Sequence, residues 1–310
     1  MEWCLHISGA DDLQGELSLK RVATLDTSES LQPTVALAAR LIEERFGEIA
    51  FTRCVFGNEF CEHLIPSPAA LKAALAAAQA RRLNFTLLTP YVSNVGLAEL
   101  RALFAVLTQH SSGEVVFNDW GVLNLLRREF PQLVPVQGRL LNKSLRDPRV
   151  TTMYASAPAP TAALSSLQRS NLDCASYTGF LARLGVSATE MDNLPQGNDL
   201  SFAQSGLGIN VYLPFGFIST SRICMAAGLH YRKSDKFQPG APCRHECQTH
   251  LLEYTYTNSP FGNRDQKFYL KGNTYFYVHT EAMLRALLEQ AQSGLIARLT
   301  FQPRLPMMAA

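Results

Sequence analysis

Apolar and polar positions along this chain change period in a regular way. Leu83-Asn-Phe-Thr-Leu-Leu-Thr89 is a short, nearly continuous apolar run with strand character, and it ends at Pro90-Tyr91. The stretch before it, 69–81, is built from strong helix formers, and 94–107 carries an amphipathic helical period. A strand is predicted at 114–119, a helix at 121–128 and a short strand at 133–137. After a helix around 176–184 the same rhythm returns with strands at 189–193 and 208–214.

Strand–helix alternation of this kind predicts a parallel α/β sheet. No glycine-rich phosphate fingerprint follows the first strands, which disfavours a dinucleotide-binding doubly wound sheet. A TIM-barrel-like parallel barrel is the better expectation, as one domain over 1–310. Polar residues at strand ends then gather on its C-terminal face: Asn118, Asp119, Gln137, Arg139, Asp192 and Asn193.

Two segments break the rhythm. The stretch 155–166 is small and proline-bearing, and reads as an exposed excursion or lid. From 251 onward the pattern turns β-like, at 251–257, 267–271, 274–279 and 297–301, giving a β-rich C-terminal portion (251–310) packed on the barrel. Gly272-Asn273 between two of these runs is a hairpin signal, and Thr280 caps a last helix at 281–288. The Tyr and Phe stripes at 254–256 and 275–277 read as sheet packing.

With 310 residues, 47% of them hydrophobic, and a formal net charge of +2, the chain reads as globular, with no electrostatic case for nucleic acid. Basic residues collect locally between Arg139 and Arg149, a patch that could bind an anionic substrate but reads by default as a solvated loop. No run approaches the length of a membrane span, and no signal peptide opens the chain, so the expected location is cytoplasmic. Seven cysteines, an odd number, fit reduced thiols or metal ligands better than a disulfide framework.

The cysteine spacing carries the strongest chemical signal. Cys243 and Cys247 flank three residues, and Cys224 lies a loop upstream. Thiols so placed can share a metal, and a fourth ligand would complete the set of an iron–sulfur cluster or a structural zinc. On chemistry alone the fourth is open among Cys61, Cys54, Cys174, Cys4, His230, His245 and His250. Cys54 lies in a strand interior, where packing is its default role, whereas Cys61 ends that segment after polar Asn58-Glu59. A cysteine–histidine nucleophile is a minor alternative, and no nucleophile elbow marks a serine hydrolase. Asp119 and Asp192-Asn193 are equally readable as acid/base groups or helix caps.

Several motifs resemble the collagenase-like peptidase family, over roughly residues 45–250. They are Phe117-Asn-Asp-Trp-Gly-Val-Leu-Asn-Leu-Leu126, Gly138-Arg-Leu-Leu-Asn-Lys143 with Asp147-Pro-Arg149, Glu190-Met-Asp-Asn-Leu-Pro-Gln196, and Arg222-Ile-Cys224 followed by Cys243-Arg-His-Glu-Cys247. The cysteine pattern is most similar to the UbiU/UbiV-like iron–sulfur branch of that family. The resemblance implies a barrel-like α/β fold and a 4Fe-4S cluster rather than zinc, held by Cys61, Cys224, Cys243 and Cys247. It also implies oxygen-independent hydroxylation of an aromatic or related substrate, together with a second family member in a heteromer. The loop from Cys224 to Cys243 is longer than in that branch. Asn118, Asp119, Arg139 and Asp192 are the expected lining of the adjacent pocket. The alternatives are a non-catalytic scaffold subunit stabilised by a cluster or zinc, and a peptidase.

Overall fold

A computed structural model describes residues 1–25, 28–110, 113–149, 160–236, 242–255 and 267–307. Eight parallel strands close into a barrel: β1 (Glu2–Ile7), β2 (Arg53–Gly57), β3 (Asn84–Leu88), β4 (Glu114–Phe117), β5 (Val134–Gln137), β6 (Ala188–Asp192), β7 (Gly208–Leu213) and β12 (Arg298–Phe301). Seven follow one another round the wall in chain order. The eighth, β12, comes from the far end of the chain and fits between β7 and β1, with Leu299 level with both Trp3 and Val211. This corrects one expectation: 297–301 belongs to the barrel wall, not to a separate C-terminal sheet.

Alternation along the strands divides their side chains between two interiors. Outward residues such as Leu5, Cys54, Phe85 and Val115 join the main core beneath the helices. Inward residues Cys4, Val55, Leu88, Val116 and Val136 form a small apolar cluster inside the barrel, all from β1 to β5. At the N-terminal end of the lumen four side chains close an ionic ring. Arg298 pairs with Glu2 at 2.7 Å and Glu114 at 2.6 Å, while Arg53 approaches the same two at 3.1 and 3.8 Å.

The helices have local causes. In α3 (Pro68–Ala80), Ser67 accepts from Ala70 N–H, proline opens the first turn, and Leu71, Ala74, Leu75 and Ala78 form the buried stripe. Helices α1 (Leu19–Val22) and α2 (Gln32–Phe46) precede it, α4 (Asn94–His110) and α5 (Trp120–Glu129) follow, and α6 (Thr161–Leu167) and α7 (Ala175–Arg183) lead into β6. Thr280 caps α8 (Glu281–Gln292), whose buried face is Leu284, Leu287, Leu288 and Ala291. Of the expected excursion at 155–166, residues 155–159 lie outside the described set, and the rest begins α6.

A second sheet, antiparallel, has the order β8-β11-β10-β9: β8 (Phe215–Thr220), β9 (Leu252–Thr255), β10 (Lys267–Lys271) and β11 (Thr274–Val278). The expected end of the first of these β-like runs, 256–257, lies outside the described residues. Strand β8 continues almost directly from β7, so this sheet stands on the C-terminal end of the barrel. Gly272 and Asn273 form the β10–β11 turn, with Gly272 at φ +63°, where glycine lacks the steric penalty of other residues.

Candidate functional site

The C-terminal end of the barrel holds a buried charge network. Arg139, two residues past β5, is 1% exposed. Its Nε and Nη2 donate to the Glu59 carboxylate at 2.8–3.2 Å, and its Nη1 donates to Asp192 Oδ1 at 2.8 Å. Arg146 Nε donates to the other Asp192 oxygen at 2.9 Å, and its Nη2 donates to the carbonyls of Arg139 and Asn142. The Arg139 guanidinium lies 4.0 Å from the Tyr212 ring centroid, and that of Arg146 lies 4.4 Å from Phe217. Two cations and two carboxylates balance within one desolvated unit. Burial opposes ionisation of Arg139, yet Glu59 and Asp192 push its pKa upward overall.

Of the four expected pocket residues, Arg139 and Asp192 meet directly in this network. Asn118 and Asp119 are used differently. Asn118 Nδ2 donates to Thr89 O at 2.9 Å and its Oδ1 accepts from Leu140 N–H at 3.0 Å, so its amide ties three strand ends together. A Cβ at Gly138 would fall 2.1 Å from Asn118 Oδ1, which explains glycine there. Asp119 is the N-cap of α5, accepting from Gly121 N–H at 2.7 Å and from Val92 N–H at 3.3 Å. Of the other strand-end polar residues, Gln137 accepts from Tyr177 OH at 3.2 Å, and Asn193 donates to Met283 O at 3.1 Å.

Sequence reading missed Glu59, Arg146, Glu190, Tyr212, His6, His279 and Gln302. Glu59 was visible only as a neighbour of Cys61, Arg146 only as part of the basic patch and Glu190 only as the first residue of a resembling motif, and the others carried no motif of their own. Among the described residues, His6 Nε2, both side-chain polar atoms of Gln302 and both ring nitrogens of His279 are buried without a hydrogen-bond partner. Burial, then the Arg139 charge, lowers His6 to about 4; burial also lowers His279, to about 3. Burial, reinforced by the Glu59 charge, raises Glu190 to about 8, so this carboxyl holds a proton at neutral pH.

Just beyond this network, four cysteines from separate stretches converge. Cys61 ends the turn after β2, Cys224 follows β8, and Cys243 and Cys247 lie before β9. Each thiol is within electrostatic reach of the other three. Each also has an N–H donor: His63 backbone for Cys61, Ala227 N–H at 3.4 Å for Cys224, His245 N–H at 3.4 Å for Cys243, and the Gln248 amide at 3.1 Å for Cys247. Burial pushes Cys61 up to about 12, the His63 donor pulls back, and the neighbouring thiols push further. Burial likewise raises Cys224 and Cys247. His245 adopts φ +58°, a conformation costly for a non-glycine residue, and this bends Cys243 and Cys247 round the same loop.

The remaining thiols stand elsewhere. Cys4 lies in the lumen, Cys54 in the main core, and Cys174 is exposed at the start of α7. The His230 and His250 rings sit 6.3 Å apart, and both residues are exposed. Among the described residues no helix is long and apolar enough to cross a membrane.

No family model matches the sequence, and no curated protein matches it. Solved structures similar in fold include a glycoside hydrolase family 18 N-acetylglucosaminidase from Paenibacillus barengoltzii. It shares 10% identity, with 97% of this chain and 94% of that one covered and a TM-score of 0.37. A Group IV chitinase from Ostrinia furnacalis is similar at 10% identity, 97% and 92% coverage and a TM-score of 0.30. YKL-39, solved with chitooligosaccharides, follows at 9% identity, 97% and 92% coverage and a TM-score of 0.28. Likeness at this level carries no argument about this chain.

The expectation of an iron–sulfur hydroxylase is corrected here. Among the described residues no three His, Cys, Asp or Glu side chains are arranged to hold a metal ion. The four thiols are neighbours without being closed round one point. The scaffold-subunit and peptidase alternatives gain nothing from these findings either.

Proposed function

We propose that this barrel binds a thiophilic metal centre through Cys61, Cys224, Cys243 and Cys247. The single observation carrying the reading is that four cysteines, brought from three parts of the chain, are each in reach of all the others. Four thiols so placed cannot ionise together without repulsion, and a cation among them supplies the missing charge. The N–H groups directed at each sulfur favour the thiolate over the thiol. Closing the thiols round the metal is part of the proposal. Zinc with four thiolates and a 4Fe-4S cluster both use this donor set.

The resemblance to the collagenase-like peptidase family supports the same four ligands. The reading includes a cytoplasmic setting, since thiols stay reduced there. It includes a small-molecule substrate, and a second family member as partner, for which exposed Trp120 and Phe180 offer apolar surface. Metal content of purified protein is the test. Serine at any of the four positions is expected to reduce bound metal to below about a tenth of the wild-type amount, because a metal's ligands act as a set. Cys174→Ser is expected to leave it unchanged, and equal metal in all five variants would refute the reading.

A further inference from the structure

The β10–β11 turn lies against the loops of three of the four cysteines. Asn273 is 6% exposed, and its Nδ2 donates to Phe60 O and to Ser221 O, both at 2.7 Å. An amide nitrogen has two hydrogens; these two carbonyls are its shortest acceptors, with the Tyr91 hydroxyl a longer third at 3.1 Å. One acceptor directly precedes Cys61, and the other lies three residues before Cys224. Asn273 Oδ1 accepts from Thr274 Oγ1 at 2.9 Å, which fixes the plane of the amide. Gly272 O accepts from Ala226 N–H at 3.2 Å, two residues past Cys224. A Cβ at Gly272 would stand 3.2 Å from Cys247 Cβ and 2.7 Å from Met307 Cε.

We propose that Asn273 is the positioning residue of the thiol site and that bare Gly272 is the space into which Cys247 fits. Resting on the four-cysteine reading above, this makes the hairpin turn a template that sets thiol spacing before any ligand arrives. The second-sheet hairpin then has a purpose that packing alone does not give it. Its two turn residues reach the loops of Cys61, Cys224 and Cys247, whereas a solvent-facing turn would reach none.

Phenylarsine oxide, added to the reduced, metal-stripped full-length chain, reads this directly. Its arsenic forms two As–S bonds with a pair of neighbouring thiols, and its oxygen leaves as water with the two thiol protons. Asn273→Asp keeps size but faces two carbonyls with a carboxylate, and Gly272→Ala crowds Cys247. Either is expected to slow capture by about tenfold or more, as lost pre-orientation does for paired groups. Asn193→Ala, which removes a buried amide hydrogen bond away from the thiols, is the control expected to capture at the wild-type rate. Unchanged capture in both turn variants would overturn the proposal, as would an equal slowing in the control. The probe needs no native metal, so a wild type that captures arsenic but carries no metal as purified would count against the metal centre and not against the template.

Discussion

Glu59 and Cys61 stand two residues apart on one turn and serve two different groups. The Glu59 carboxylate is fully buried against Arg139, with Nη2–Oε2 at 2.8 Å, while the Cys61 thiol joins Cys224, Cys243 and Cys247. Between them Phe60 packs edge-on against Phe217 and Phe276 and lies 5.3 Å from the Arg139 guanidinium. Asn58 fixes the turn by accepting from Phe60 N–H and Cys61 N–H, both at 2.9 Å. Four consecutive residues thus join the charge network in the barrel to the thiols beyond it.

Breaking the network from one side is expected to be costly. Arg139→Met leaves Glu59 and Asp192 buried without their shared cation, and the loss of unfolding free energy should reach about 3–5 kcal/mol. Denaturant titration reads it. A loss below about 1 kcal/mol, the range of an exposed pair, would show that the network is solvated.

Asn118 and Asp119 are expected to behave as structural residues. Asp119→Ala removes the α5 cap and should cost about 1 kcal/mol. Asn118→Ala leaves Thr89 O and Leu140 N–H unpaired in the interior and should cost about 1–3 kcal/mol. Bound metal per folded chain should be unchanged in both. A drop in that ratio for Asp119→Ala would give the cap a second role.

Glu190 gives a pH signature. Its folded pKa is raised, to about 8, above an ordinary value of 4.5. A raised carboxyl favours the folded state below the ordinary value, and that contribution fades as pH climbs from about 4.5 to 8. His6 and His279, held neutral with lowered pKa values, act in the opposite sense and weaken the fold as pH falls below about 6.5. The difference between wild type and Glu190→Gln isolates the carboxyl. Relative to wild type, the variant should gain stability steadily from pH 5 to 8. A constant difference across that range would mean that Glu190 titrates normally.

Much of the barrel was legible because its strands are short apolar runs between helices with strong periodicity and caps. Thr280 marks a helix start in the sequence and does so in the structure, and Asp119, readable there as either cap or acid/base group, caps α5. Strand β12 was visible as a strand but not as a barrel member, since its place between β7 and β1 depends on pairing across the whole chain. The site divides along the same line. Cys243 and Cys247 signal through spacing, which sequence records. Glu59, Arg139, Asp192 and Arg146 meet only through barrel closure, and no local pattern distinguishes a buried arginine from a solvated one. His6 and Gln302 look like ordinary strand-end polar residues until the lumen strips them of partners.

The most direct measurement is an anaerobic absorption spectrum of the purified chain, with iron, sulfide and zinc assayed on the same sample. The account expects a metal centre in stoichiometric amount that disappears in the Cys61, Cys224, Cys243 and Cys247 variants. Iron with sulfide and visible absorption would make it a cluster, and one zinc in a colourless protein would make it a tetrathiolate ion. A well-folded, metal-free chain that takes up neither iron and sulfide nor zinc when they are supplied under reducing conditions would contradict the account.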